Sequence, residues 1–101
     1  MALADAVKGS DKIGQLITWS PVFDLTGATL SGVIRESPKD SNSERAITGA
    51  LALSDAENGV FSWAYSDADV AESGTFWVKF TAAFSGSLDA VSRWERWKVH
   101  S

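Results

Sequence analysis

Carboxylates are the first residues in this sequence that could do chemistry. Asp67, Asp69 and Glu72 form one group, and Asp55 and Glu57 form another. Glycoside hydrolysis needs two carboxyl groups held across a cleft at a set separation. Carboxylates clustered on tight turns more commonly accept backbone amides as caps and Asx-turns, and that is the expectation here. A calcium ion takes roughly 6–8 oxygen ligands, whereas Asp67, Asp69 and Glu72 supply three carboxylates and lack the D-x-[DN]-x-[DN]-G spacing. The single histidine, His100, is the penultimate residue, where a chain is usually poorly tied down. There is no cysteine, so a disulfide scaffold, a thiolate zinc site and a cysteine nucleophile are excluded. Gly32, Gly49 and Gly59 stand alone and make no phosphate loop. These residues predict no catalytic centre, no bound metal and no cofactor.

The aromatic residues carry more information: five Trp, five Phe and one Tyr in 101 residues. Trp and Arg are enriched at binding hot spots. If the strands below are right, Trp77 and Trp94 point away from the core, with Arg96 and Lys98 on the same last strand. Trp77, Trp94, Arg96 and Lys98 are therefore the candidate interface. The competing reading is a solvated face stabilised by cross-strand cation–indole pairs.

The elements that would position these side chains are strands. Ile13–Trp19 is a first strand, with Ile13, Ile17 and Trp19 on one parity, and Pro21 ends it because proline lacks a ladder donor. Asp24-Leu25-Thr26-Gly27 is a turn, with Asp24 as acceptor and Gly27 free to take positive φ. Ala28–Ile34 follows as a strand. Residues 35–44 hold five charges, a Pro, three Ser and an Asn, which marks a long loop. Arg45–Leu53 alternates as another strand, and Asn58-Gly59 is a hairpin signal. Val60–Tyr65 places Phe61, Trp63 and Tyr65 on one face. In Ser66–Gly74, Ser66 or Asp67 caps a short helical turn, Asp69 lies near its start and Gly74 ends it. Thr75–Phe84 alternates with Phe76, Val78, Phe80, Ala82 and Phe84 inward. Ser85–Ala90 is a polar turn, and Val91–Val99 closes the fold with Val91, Trp97 and Val99 inward. That hairpin sets Trp77 beside Lys98 and Trp94 beside Thr81. Glu95 then falls on the core side, so a bulge in this strand would exchange the roles of Trp94 and Trp97.

The alternation predicts an all-β, antiparallel β-sandwich of about six to eight strands, with a small closed barrel as the alternative. One domain spans 13–101, preceded by a flexible arm over 1–12 that is either frayed or ordered on a neighbouring subunit. The net charge of −4 argues against nucleic acid as a partner. The N-terminus lacks a signal-peptide pattern, and no apolar run approaches the ~20 residues of a membrane helix. The expectation is a soluble protein made in the cytoplasm.

Three motifs, in order, resemble the immunoglobulin-like modules of tailed-phage virion proteins, of the type that forms the N-terminal domain of the baseplate upper protein. They are Asp24-Leu25-Thr26-Gly27-Ala28-Thr29-Leu30, then Gly59-Val60-Phe61-Ser62-Trp63, then Asp69-Val70-Ala71-Glu72-Ser73-Gly74-Thr75-Phe76-Trp77-Val78-Lys79-Phe80. The resemblance runs from Ile13 to Val99. Ser20-Pro21-Val22 departs from it, standing where the family usually has glycine in its first hairpin. The family domain also usually heads a longer protein, so a free-standing copy implies an attached component.

What the resemblance implies is an immunoglobulin-like sandwich and a non-enzymatic structural protein of the phage particle. Its partners would be other virion proteins, met in many copies or as a homo-oligomer. Its place would be the virion, as a capsid decoration or cement protein or a tail or baseplate accessory, assembled in the host cytoplasm. The alternative is a carbohydrate-binding module for host-surface attachment, with Trp77 and Trp94 stacking on a host glycan.

Overall fold

In a computed structural model, which describes residues 1–86 and 88–101, the chain is a two-sheet β-sandwich. The nine strands among these residues are β1 (Ala6–Val7), β2 (Gly14–Thr18), β3 (Thr29–Arg35), β4 (Arg45–Ala46), β5 (Ala50–Asp55), β6 (Val60–Ala64), β7 (Gly74–Phe84), β8 (Leu88–Val91) and β9 (Glu95–His100). The larger sheet has the order β1-β9-β7-β3-β4, with β8 also on β7, and the smaller has the order β2-β6-β5. This is the strand arrangement of an immunoglobulin-like sandwich. Every pairing is antiparallel except that of β1 with β9.

Aromatic side chains from both sheets fill the space between them. Phe61 and Trp63 of β6 meet Phe80 of β7 and Trp97 of β9, with Phe61–Phe80 centroids 5.1 Å apart and Trp63–Trp97 centroids 4.6 Å apart. All four are fully buried. Burying one such side chain contributes about 1.5–3 kcal/mol, and a well-placed aromatic pair adds roughly 0.5–1.5 kcal/mol. Phe76 and Tyr65 are buried and Phe84 packs against the core, as the alternation predicts.

Several expectations need correction. The arm over 1–12 is not loose. Ala6 is buried and pairs with Val99, Lys8 N donates to His100 O at 2.7 Å, and Gln15 exchanges hydrogen bonds with the Ala4 backbone. The segment is held by backbone groups, which polar composition does not reveal. Ile13 is 61% exposed, and only Ile17 and Trp19 of its parity reach the core.

The expected strand Arg45–Leu53 is two strands in different sheets. β4 pairs with β3, and after Ile47–Gly49 the chain crosses to pair with β6. Arg35, expected to open the 35–44 loop, ends β3.

The turn expected at Ser85–Ala90 is shorter, because Leu88–Val91 forms β8; Ser87 within it lies outside the described residues. Val91 is 52% exposed, not inward. Ser92 breaks the last strand: its N–H donates to Phe80 O, and its hydroxyl accepts from Phe80 N. Pairing with β7 shifts by one residue between β8 and β9. Trp77 therefore lies beside Arg96, Thr75 beside Lys98, and Thr81 beside Val91. The shift does not exchange the two indoles, since Trp97 is buried and Trp94 is not. Glu95 has the core-side parity, opposite Val78, and the amino group of Met1 meets it at 3.3 Å.

Candidate interaction face

The outer face of the larger sheet is built by alternation. Phe76, Val78 and Phe80 of β7 are buried, so Trp77 and Lys79 project the other way. The register sets Arg35 of β3 and Arg96 of β9 on either side of Trp77, Val33 beside Lys79, and Lys98 beside Thr75. Trp94 enters the same face just before β9. The Arg35 guanidinium lies 4.8 Å and the Lys79 ammonium 5.4 Å from the centre of its ring. A cation over an exposed indole contributes about 0.5–1 kcal/mol.

The face thus brings together Trp77, Trp94, Arg96 and Lys98. The sequence reading missed Arg35 and Lys79. Arg35 belongs by composition to the 35–44 loop but ends β3, and Lys79 meets Trp94 because the register shifts after Ser92. Both indoles are half-buried. Neither packs on another aromatic ring among the described residues.

Charge on this face is incompletely compensated. Arg35 is held by Glu44, with an ion pair of 2.6 Å, and it donates to Pro38 O at 2.7 Å, which docks the 36–44 loop. The other ion pairs among the described residues are Met1 amino–Glu95 and Asp5–His100. Lys79, Arg96 and Lys98 have no carboxylate partner among them. A shallow groove of about 250 Å³ runs beside Trp94, lined by Arg35, Lys79, Thr81 and Val91.

The turn residues have structural work. Asp24 Oδ1 accepts from the backbone N–H and the hydroxyl of Thr26. These bonds lower its pKa, the hydroxyl bond most. Gly27 has φ +85° and Gly74 has φ +140°. Asn58 Nδ2 donates to Asp55 Oδ2 at 2.9 Å. Asn58 sits in a 3₁₀ turn over Ala56–Asn58, so only Gly59, at φ +72°, takes the left-handed region expected of the pair. A Cβ on Gly59 would also come within 2.9 Å of Phe23 O.

Asp69 is more than a turn residue. It is fully buried, and four donors converge on it: Thr48 N on Oδ1, and Gly49 N, Trp63 Nε1 and Ser66 N on Oδ2, at 3.0–3.2 Å. A Cβ on Gly49 would lie 2.5 Å from Oδ2, so only glycine admits this approach. The carboxylate fixes the point where the chain crosses between sheets and locks Trp63. In sequence its signal is Ser66-x-x-Asp69, whose Ser hydroxyl does accept from Asp69 N, at 3.2 Å.

The remaining acids form no ion cage. Asp67 has a raised pKa because it shares a hydrogen bond with Asp11 and feels its charge. No group of three or more His, Cys, Asp or Glu side chains converges among the described residues. The chain matches no family model and no curated protein sequence.

Proposed function

We propose that this chain is a non-enzymatic assembly module of a tailed-phage particle that holds partner proteins with the outer face of its larger sheet. The observation that carries the contact is the set Trp77, Trp94, Lys79, Arg96 and Lys98 on one rigid sheet face. It combines half-exposed indoles with cations that have no carboxylate partner among the described residues, in a protein whose net charge is −4. Aromatic and cationic side chains of this kind dominate interface energetics. The phage setting is supported by the order of the three sequence motifs. The position in the particle, as a capsid decoration or cement protein or as a tail or baseplate accessory, belongs to the same proposal.

A rigid sandwich suits repeated contact, because weak single contacts acting in many copies add up to firm attachment. Sugar stacking is the less favoured use of these indoles, since cations already lie over the Trp94 ring. The test is co-sedimentation with particles. Trp77→Ser should leave the fold intact and reduce incorporation. Unchanged incorporation would overturn the assignment of this face, and specific hits on a glycan array would redirect it to carbohydrate.

A further inference from the structure

We infer that the cationic face takes a second copy of this chain, seated by the acidic end of its sandwich. The inference rests on reading that face as an assembly surface, and it names the occupant.

Charge is segregated along the chain. No Lys or Arg occurs in residues 13–34, 46–78 or 80–92. Asp24, Asp55 and Glu57 fall in these stretches, and all three are exposed. The fold brings them to one end of the sandwich. Leu25 N donates to Ala56 O at 2.8 Å, tying the Asp24 loop to the turn that carries Asp55 and Glu57. Phe23 packs on Phe84 at the end of β7, with centroids 6.3 Å apart. Uncovered aliphatic groups lie at the same end: Val22 is 62% and Leu88 70% exposed.

This end matches the cationic face group for group. It offers carboxylates beside exposed aliphatic side chains, and the face offers cations without a carboxylate partner among the described residues, beside half-exposed indoles. Opposite potentials steer and orient such a contact. The alternatives within a pair of copies are unfavourable. Face against face sets Lys79, Arg96 and Lys98 on themselves, and end against end does the same with the carboxylates. The remaining arrangement is face to end, which either closes as a two-fold pair or repeats head to tail into a ring or a filament.

Sedimentation velocity on the whole chain tests this. The protein should self-associate with rising concentration at about 0.01 M ionic strength and dissociate at about 1 M, as the Debye length falls from roughly 30 Å to roughly 3 Å. Arg96→Glu with Lys98→Glu makes both surfaces acidic, and Asp55→Lys with Glu57→Lys makes both surfaces more basic. Each double variant alone should be monomeric, and an equimolar mixture should recover association. Circular dichroism reports whether the variants are folded, and the salt response of the unaltered chain stands without them. A chain that stays monomeric at low ionic strength overturns the inference, as does a mixture of folded variants that stays monomeric. If self-association is absent while Trp77→Ser still abolishes particle incorporation, the face keeps its role and only its occupant is wrong.

Discussion

Trp63 and Trp97 meet with ring centroids 4.6 Å apart and no exposure, whereas Trp77, flanked along β7 by buried Phe76 and Val78, remains half-exposed between Arg35 and Arg96. The same side chain is used in two ways on the two faces of the larger sheet. Inside, the indoles are fixed by rings on every side and, for Trp63, by a buried carboxylate. Outside, Trp77 lies between Arg35 and Arg96, and Trp94 has the Arg35 and Lys79 cations over its ring. The interior indoles account for why the sheets stay together. The exterior ones add little to that.

The comparison breaks most directly by truncating one indole from each region. Trp63→Ala removes a fully buried ring and should destabilise by about 3–5 kcal/mol. Trp77→Ser should cost less than about 1 kcal/mol, as surface changes generally do. Urea unfolding of both variants measures the difference. Equal losses would mean that Trp77 is part of the core and that its face has no spare indole to offer.

Asp69→Ala asks whether the interior depends on the carboxylate or only on the rings. The substitution leaves Thr48 N, Gly49 N, Ser66 N and Trp63 Nε1 without their acceptor. One unsatisfied buried donor costs about 1–3 kcal/mol. Water reaching the half-buried backbone groups offsets part of the sum, so a loss of about 3 kcal/mol is expected. A loss below about 0.5 kcal/mol, the range of an ordinary surface site, would show that the crossing between sheets holds without Asp69.

Legibility in the sequence follows the same division. Alternation of Phe61, Trp63 and Tyr65, and of Phe76, Val78 and Phe80, is a period-2 signal that burial directly produces, so the core and the outward set of Trp77 could be read from it. Parity assigns a side chain to a face of a strand, but it does not assign the strand to a sheet. For that reason Arg45–Leu53 read as one strand, although the Asp69 carboxylate takes up the amides of Thr48 and Gly49 and turns the chain to the other sheet. The pairing of Ala6–Val7 with β9 is made by backbone groups, to which residue composition is nearly blind. Ser92 reads in the sequence as an ordinary position within the Val91–Val99 strand. Only its two bonds with the Phe80 backbone show that it shifts the register and sets Trp94 beside Lys79.

A smaller contrast separates Trp63 and Trp97, the two interior indoles that meet, from each other. Trp63 Nε1 donates to Asp69 at 3.0 Å, whereas Trp97 Nε1 is buried and makes no hydrogen bond of good geometry among the described residues. The Tyr65 hydroxyl accepts from Gln15 Nε2 at 2.7 Å; burial raises its pKa, while Gln15 and the Trp97 N–H beside it pull the other way. Replacing either indole by Phe removes the same atoms from the same packed layer. At Trp63 the change also deprives a buried carboxylate of one of its four donors. At Trp97 it removes a donor that was desolvated without compensation, which offsets part of the lost packing. Trp63→Phe should therefore exceed Trp97→Phe by about 1–3 kcal/mol in unfolding free energy, with the ring-volume terms cancelling in the difference. Equal losses would mean that the Trp97 N–H is satisfied in solution, with the adjoining Tyr65 hydroxyl as the acceptor to test. Repeating the pair of measurements on a Tyr65→Phe background decides that point, because the gap opens only if Tyr65 was the acceptor.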